Sequence, residues 1–232
     1  MSSNGYVAKR RELPRRVEPL PLAPGAAFGL TAYQTASANE TGTNGVVHDS
    51  SGLAAPISTA RLDLVLLPHQ WLTAFVHGMQ PPDLGFDDPH QVLYGKEGLV
   101  QLRAGQIAAD PRHEPWLLRM MVLRGAARGE AVGYVNFHAP PDARGMVEIG
   151  YQVAAHLRGR GYGSEAASAM WSWAGRHGAR VLRASIAPHN APSIALVRRA
   201  GFRPVGEQMD EEDGLEIIWE RAAGIAPTDL MR

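Results

Sequence analysis

Residues 156–166 read HLRGRGYGSEA. Gly159, Gly161 and Gly163 alternate there with Arg158, Arg160 and Tyr162, and Ser164 follows. The run before this stretch has strand character and the run after it has helix character. A strand, a glycine turn and a helix N-terminus together make a site for an anion. Backbone N–H groups converge there, and the helix end carries roughly half a positive charge. Glycine permits positive φ and close approach of main chain to ligand, and the arginines add charge-assisted contacts. On these residues alone, a solvated turn whose arginines face water is the open alternative.

Two phosphate motifs do not fit. The dinucleotide fingerprint needs G-x-G-x-x-G and an acidic residue about 20 positions on. The glycines here are spaced G-x-G-x-G, and Arg180 to Ser185 includes no acid. A P-loop needs a lysine after its second glycine, and none stands here. A third pattern does fit: Val153, four residues, then Arg158-x-x-Gly161-x-Gly163. It resembles motif A of the GNAT superfamily of acyl-coenzyme A-dependent N-acetyltransferases. Downstream, Asn190-x-x-Ser193 and Gly201-Phe202 are similar to that superfamily's N-x-x-[AS]…GF segment. With VEIGYQV, RGRGYGSEA and NAPSIALVRRAGF, the chain looks most like the Rim-type branch, named for enzymes acetylating ribosomal-protein N-termini. The resemblance runs from about residue 61 to 221 and is densest over 148–202.

That resemblance implies a fold and a set of roles. The fold is α/β: a mixed, mostly antiparallel sheet flanked by helices, with a splayed parallel strand pair at the cofactor notch. Acetyl-coenzyme A is the implied co-substrate, with no metal. The implied reaction moves its acetyl group to a primary amine by direct attack in a ternary complex. Tyr151, Val153, Arg158, Gly159, Arg160, Gly161, Tyr162, Gly163, Ser164, Asn190 and Ser193 would hold the cofactor. A backbone N–H near Val153 would serve the oxyanion. The family's usual thiolate-protonating tyrosine, seven residues after the motif asparagine, is replaced by Val197. Ser193 is the substitute the Rim-type branch suggests. Asn190 and Ser193 also suit simple capping of the helix that opens near Pro192.

Deprotonating the amine needs a base. Glu148, on the strand beside the notch, is the first candidate, since a carboxylate on a central strand is costly to bury unless it has a purpose or a partner. The competing reading is an ion pair with an arginine on a neighbouring strand. Glu211 and Glu212 are secondary candidates, and His189 precedes the motif asparagine. The acceptor would enter between residues 68–110 and the last hairpin, residues 203–221. Asp83, Asp87 and Asp88, with the acidic run at 210–213, make a cationic acceptor an expectation: a small-molecule amine or a peptide N-terminal amine. Solvated acidic loops are the alternative. His138, His156, His177 and His189 lack H-x-x-x-H spacing, and DEEDG is not a calcium loop, so metal chemistry is not indicated.

The elements that must position these residues follow from periodicity. RLDLVLL alternates as a strand, and PHQWLTAFVHG places Trp71, Phe75 and Val76 on one helical stripe ending at Gly78. Residues 90–109 are expected to be helical with interruptions at Gly95, Gly98 and Gly105. WLLRMMVLR, AVGYVNFH and MVEIGYQV, joined by GAARGE and APPDARG, predict an antiparallel meander. Ala167, Met170, Trp171 and Ala174 recur at helical spacing. Trp173, two positions from Trp171, predicts that only one of the pair reaches the core. RVLRASI is a strand, NAPSIALVRRAG a helix, and LEIIWER a closing strand.

Composition sets the bounds. The chain has 232 residues, 45% hydrophobic, enough for one well-buried core. Its 23 basic and 23 acidic residues balance, so no global field draws it to nucleic acid or to a membrane surface. No apolar run approaches roughly 18 residues, and the N-terminal residues lack a secretory pattern. The absence of cysteine excludes a thiol nucleophile and suits a cytoplasmic protein. Residues 1–58, rich in Ser, Gly, Ala, Thr and Pro, are expected to be a disordered leader, or a partner-binding tail seeded by KRRELPRR. The acyltransferase domain is expected over 59–222, with a tail at 223–232. A homodimer stays open. A catalytically silent acyl-coenzyme A sensor is the competing functional class, since Val197 stands where the usual acid would be; a nucleotide-binding module is a third.

Overall fold

Alternating apolar residues and short turns produce a nine-stranded sheet in this computed structural model, which describes residues 52–210 and 214–224. Most of the expected leader (residues 1–51), Glu211 and Glu212, and residues 225–232 lie outside the described residues. The strands are β1 (Ile57–Ser58), β2 (Leu62–Leu66), β3 (Phe86–Asp87), β4 (Arg119–Leu123), β5 (Gly129–Phe137), β6 (Met146–Val153), β7 (Val181–Ile186), β8 (Arg203–Asp210) and β9 (Gly214–Ala222). The helices are α1 (His69–Val76), α2 (Glu97–Ala109), α3 (Tyr162–Arg176) and α4 (Ala191–Arg199). Sheet order is β1-β2-β4-β5-β6-β7-β9-β8, with the short β3 beside β5. Neighbours are antiparallel except β6–β7 and β3–β5. This is the expected mixed, mostly antiparallel α/β architecture.

Each sheet face is covered. Phe137, Val147, Ile149 and Val153 pack with Met170, Trp171 and Trp173 of α3 and with Leu196 and Val197 of α4. On the other face Met120, Ala131 and Tyr134 pack with Leu72 of α1 and with Val100 and Ile107 of α2. Val147, Ile149 and Val153 therefore face α3. By the two-residue period of a strand, Glu148, Gly150 and Gln152 face the α2 side.

Several elements depart from the sequence reading. Both tryptophans of α3 are buried, not one: Trp171 packs tilted against Phe202 at 4.7 Å, and Trp173 meets Trp116 edge-on at 4.8 Å. The short 3-10 helix at Pro111–Trp116 brings Trp116 against a second side of α3, so the buried stripe is wider than a simple helix–sheet contact would need. In α1 the fully buried positions are Leu72 and Ala74, while Trp71, Phe75 and Val76 pack partly. The helical segment begins only at Glu97, after the left-handed Gly95, so residues 90–95 are turns. The sheet also starts earlier than residue 59. Ile57 and Ser58 pair with Leu64 and Asp63. Buried Arg119 donates to the carbonyls of Leu53, Ala55, Leu64 and Pro115, tying this segment down with charge-assisted bonds. Among the described residues no helix is long and apolar enough to cross a membrane.

Candidate active site

The site begins where the parallel pair β6–β7 comes apart. Its ladder holds Met146, Val147 and Glu148 opposite Val181, Leu182 and Arg183, and then stops. Beyond Glu148, β6 continues to Val153 with pairing only to β5, and β7 continues to Ile186 with pairing only to β9. The two strands therefore open into a notch that holds a cavity of about 390 Å³. Ile149 to Tyr151 line one wall, Ala184 to Ala187 the other, and His189, Asn190, Ser193 and Val197 close one end.

At the end of β6 the chain passes through a short 3-10 turn (Ala155–Leu157) and reaches Gly159 at φ 79° and Gly161 at φ 84°. Both are left-handed conformations that a side chain would strain. Gly161 precedes α3 directly, so its first-turn N–H groups lack intrahelical acceptors and point outward. Helix α3 starts at Tyr162, so Tyr162, Gly163 and Ser164 form the first turn and not the loop. Gly163 is required for a reason sequence alone did not show. A Cβ there would meet the Tyr151 ring at 2.8 Å. Arg160 is exposed. Arg158 is exposed too, with its Nε donating to the Val153 carbonyl at 3.2 Å.

A latch supports this turn from outside it. Arg61 Nε donates to Glu165 Oε2 at 2.7 Å and its Nη1 to the Arg160 carbonyl at 2.9 Å, while its guanidinium lies 4.8 Å from the Tyr162 ring centroid. Thr59 and the Arg61 backbone N–H complete the shell around Glu165. Burial alone would raise the Glu165 pKa, but these hydrogen bonds outweigh it and hold the carboxyl below its usual value. The one acid in the first turn of α3 is thus occupied by Arg61, which leaves the helix end free for an external anion.

Ser193 and Asn190 have separate tasks. Asn190 Oδ1 accepts from the Ser193 N–H at 3.3 Å and caps α4. The Ser193 hydroxyl instead meets the Tyr151 hydroxyl at 3.1 Å, where either can donate. Val197, at the position of the family's usual tyrosine, is 2% exposed and belongs to the core.

On the α2 side, Glu148 accepts from the Ser185 hydroxyl. Its ladder neighbour Arg183 is drawn instead to Glu220, with Arg183 Nε at 2.9 Å, so the ion pair of the competing reading forms one strand further on and not with Glu148. The sequence weighs His138 only as a metal ligand and gives it no place in the site, yet it sits beside Glu148. Its N–H donates to the Glu148 carbonyl at 2.9 Å, and both side chains line the cavity with Asp210, Glu216 and Gln208. Burial pushes the His138 pKa down. Arg103 acts in the same direction, and Glu148 and Asp210 oppose it. The alternation of AVGYVNFH, set against the hairpin register through APPDARG, is the signal that could have paired His138 with Glu148.

Asp83 and Asp87 do not line this cavity. Both are ion-paired to Arg128 at 2.9 Å, at the start of β5, and the Asp88 carboxylate accepts from the Val92 N–H. Of the acids expected to draw a cationic acceptor, the described residues place Asp210 at the cavity and add Glu216.

Residues 93–203 match the family described as the Acetyltransferase (GNAT) domain. The chain contains a GNAT acetyltransferase domain. It is accordingly an acyl-coenzyme A-dependent acetyltransferase. No curated protein matches the chain. Among solved structures, one from Vibrio cholerae, provisionally described as a ribosomal-protein-serine acetyltransferase, is similar at 20% identity and TM-score 0.50. The match covers 72% of this chain and 97% of that one. RimJ of Mycobacterium smegmatis in complex with CoA-disulfide is similar at 20% identity and TM-score 0.49, covering 72% of this chain and 86% of that one. The first likeness establishes the GNAT fold of this acetyltransferase.

Proposed function

We propose that this acetyltransferase moves an acetyl group from acetyl-coenzyme A to a primary amine by direct attack within a ternary complex. The observation that carries the reading is the notch between β6 and β7, with a glycine turn and a helix N-terminus at one end and acidic residues on its α2 side. The thioester supplies the activated acyl group, and the chain supplies everything else. First-turn N–H groups of α3 with Arg158 and Arg160 take the diphosphate. Left-handed Gly159 and Gly161 leave the main chain bare, and no Cβ blocks it. Backbone of β6 between Gly150 and Val153, without a ladder partner on the β7 side, holds the pantetheine arm and offers an N–H to the oxyanion. Tyr151 and Ser193 share a proton that reaches the departing thiolate. Glu148 removes the amine proton, directly or through a group between. Because the chain has no cysteine, a cysteine-linked acyl-enzyme is unavailable, which supports direct attack.

The acceptor is an amine that arrives as a cation. Glu148, Asp210 and Glu216 face the cavity, and such a cluster concentrates ammonium groups. Small-molecule amines and peptide N-terminal amines both satisfy this, and resemblance to the Rim-type branch favours the peptide.

A free-thiol assay with acetyl-coenzyme A against amino acids, peptides, polyamines and aminoglycosides tests the proposal. Thiol release that depends on one amine class is the expected result. Coenzyme binding with no release from any amine would instead establish the sensor reading, which buried Val197 in place of the usual tyrosine keeps in view.

The latch carries its own expectation. Arg61→Ala removes the clamp on the Arg160 carbonyl and the packing on Tyr162. It should weaken coenzyme A binding about tenfold by calorimetry, roughly 1.4 kcal/mol, while kcat at saturating coenzyme stays within about twofold. A fall in kcat with unchanged affinity would show that Arg61 acts on chemistry and not on the cradle.

A further inference from the structure

We propose that His138 is the group that takes the proton from the acceptor amine, with Glu148 stabilising the imidazolium as it forms. The inference rests on the acetyltransferase reading above and deepens it. It begins from an arrangement of backbone and not from a motif. His138 extends β5 by one residue and is bonded across to Glu148, so the two side chains leave the sheet on the same face. The imidazole leans along β6 over Gly150. A Cβ at Gly150 would meet His138 Nε2 at 3.1 Å and Asn136 Nδ2 at 3.2 Å. Gly150 is the second residue beyond the last β6–β7 ladder pair. The ring nitrogen therefore sits over the mouth of the notch, where an amine coming from the acidic side must pass to reach the acyl carbon.

The main chain that carries the ring is held in place by side chains from α2 and β5. Arg103, 4% exposed, donates its Nη1 to the His138 carbonyl at 3.0 Å and its Nε to Asn136 Oδ1 at 3.0 Å. Gln106 donates to the same His138 carbonyl at 2.9 Å, and Asn136 donates to the Gly150 carbonyl at 3.0 Å. This locks the main chain on both sides of the imidazole. Charged and titratable groups face it from each packed element: Arg103 on α2, Glu148 on β6, Asp210 on β8, with Glu216 on β9 and His189 beyond β7 around the same cavity. Burial and Arg103 lower the ring's pKa and so favour the neutral form that a base requires, while the carboxylates oppose that effect and favour the cation once it is made. Imidazole is also the side chain whose ordinary pKa, about 6.5, suits proton transfer near neutral pH.

The protons balance as follows. The ammonium gives one proton to His138 Nε2, and its freed lone pair forms the C–N bond to the acyl carbon as the C–S bond breaks. Tyr151 and Ser193 deliver a proton to the leaving sulfur, and the second proton lost from nitrogen returns through solvent to that hydroxyl pair, which is thereby restored. His138 returns the first to solvent through the cavity mouth.

The test compares His138→Gln with Glu148→Gln over pH 5–9, using thiol release and, independently, the NMR titration of the His138 ring in the coenzyme-free protein. In the wild type, the acidic limb of kcat/KM and the ring titration should share one midpoint. His138→Gln should lower kcat about 100-fold or more and erase that limb, while coenzyme affinity by calorimetry stays within about threefold. Glu148→Gln should keep the limb but move it, and the ring titration with it, to lower pH. The inference is overturned if the limb survives in His138→Gln or vanishes in Glu148→Gln alone. It is also overturned if the wild-type ring titrates more than about one pH unit from the limb, or if His138→Gln loses coenzyme affinity together with activity. A wild type that turns over no amine removes the acetyltransferase reading itself, and this role with it.

Discussion

Gly161→Asp is expected to abolish coenzyme A binding. Acetyl-coenzyme A at millimolar concentration should raise the melting temperature of the wild type and leave that of the variant unchanged. Three effects act together at this position. The backbone stands at φ 84°, which an aspartate adopts only with strain. A Cβ would come within 3.2 Å of Arg61 Nη2, so the latch must shift. Most important, the new carboxylate would stand at the N-terminus of α3, the site proposed for the diphosphate. An internal anion there satisfies the first-turn N–H groups and repels the ligand. At saturation well above Kd, ligand stabilisation amounts to a few kcal/mol, so its loss is easily seen. Gly161→Ala separates the contributions: it brings the strain and the contact without the charge, and should retain a reduced shift. If Gly161→Asp keeps the full wild-type shift, the anion is not held at this turn.

The second large effect concerns the hydroxyl pair. Tyr151→Phe and Ser193→Ala are each expected to lower kcat about 100-fold, the low end of what general acid catalysis contributes, with coenzyme affinity nearly unchanged. The double variant should be no slower than the slower single one. The reason is the 3.1 Å contact between the two hydroxyls. If one passes its proton through the other, removing either breaks the same path, and residues that act as a unit are strongly non-additive. Steady-state kcat at saturating acetyl-coenzyme A measures this. Multiplicative losses would mean that the hydroxyls act separately, and a full-rate Ser193→Ala would return Ser193 to the helix terminus as a structural residue.

These two experiments probe different kinds of information in the chain. Gly161 was legible from the sequence because a left-handed turn before a helix admits few residue types, so local backbone chemistry writes it into the residues themselves. The same holds for Asn190, whose capping of α4 depends on the three residues that follow it. The strand and helix periods also carried most of the architecture, since β2, β6 and β7 each bury one alternating set, while central β5 is buried on both faces. Where the pattern was silent, the element lacks a buried face. Strand β8 is exposed along most of its length, contains Pro204 and is shifted in register before Gly206. An edge strand has no core to impose alternation.

What the sequence settled, then, is whatever depends on neighbours along the chain: the glycine turn, the helix caps, the alternation of central strands and the family those motifs indicate. Tertiary structure alone decided which distant side chains meet. It set Arg61 against Glu165 across 104 positions, brought Tyr151 to Ser193 across 42, turned Arg183 to Glu220 and away from Glu148, and set His138 over Gly150. It also buried both Trp171 and Trp173, because a second element closes over α3. Such contacts arise from the packing of several elements at once, and no spacing within a single segment encodes them.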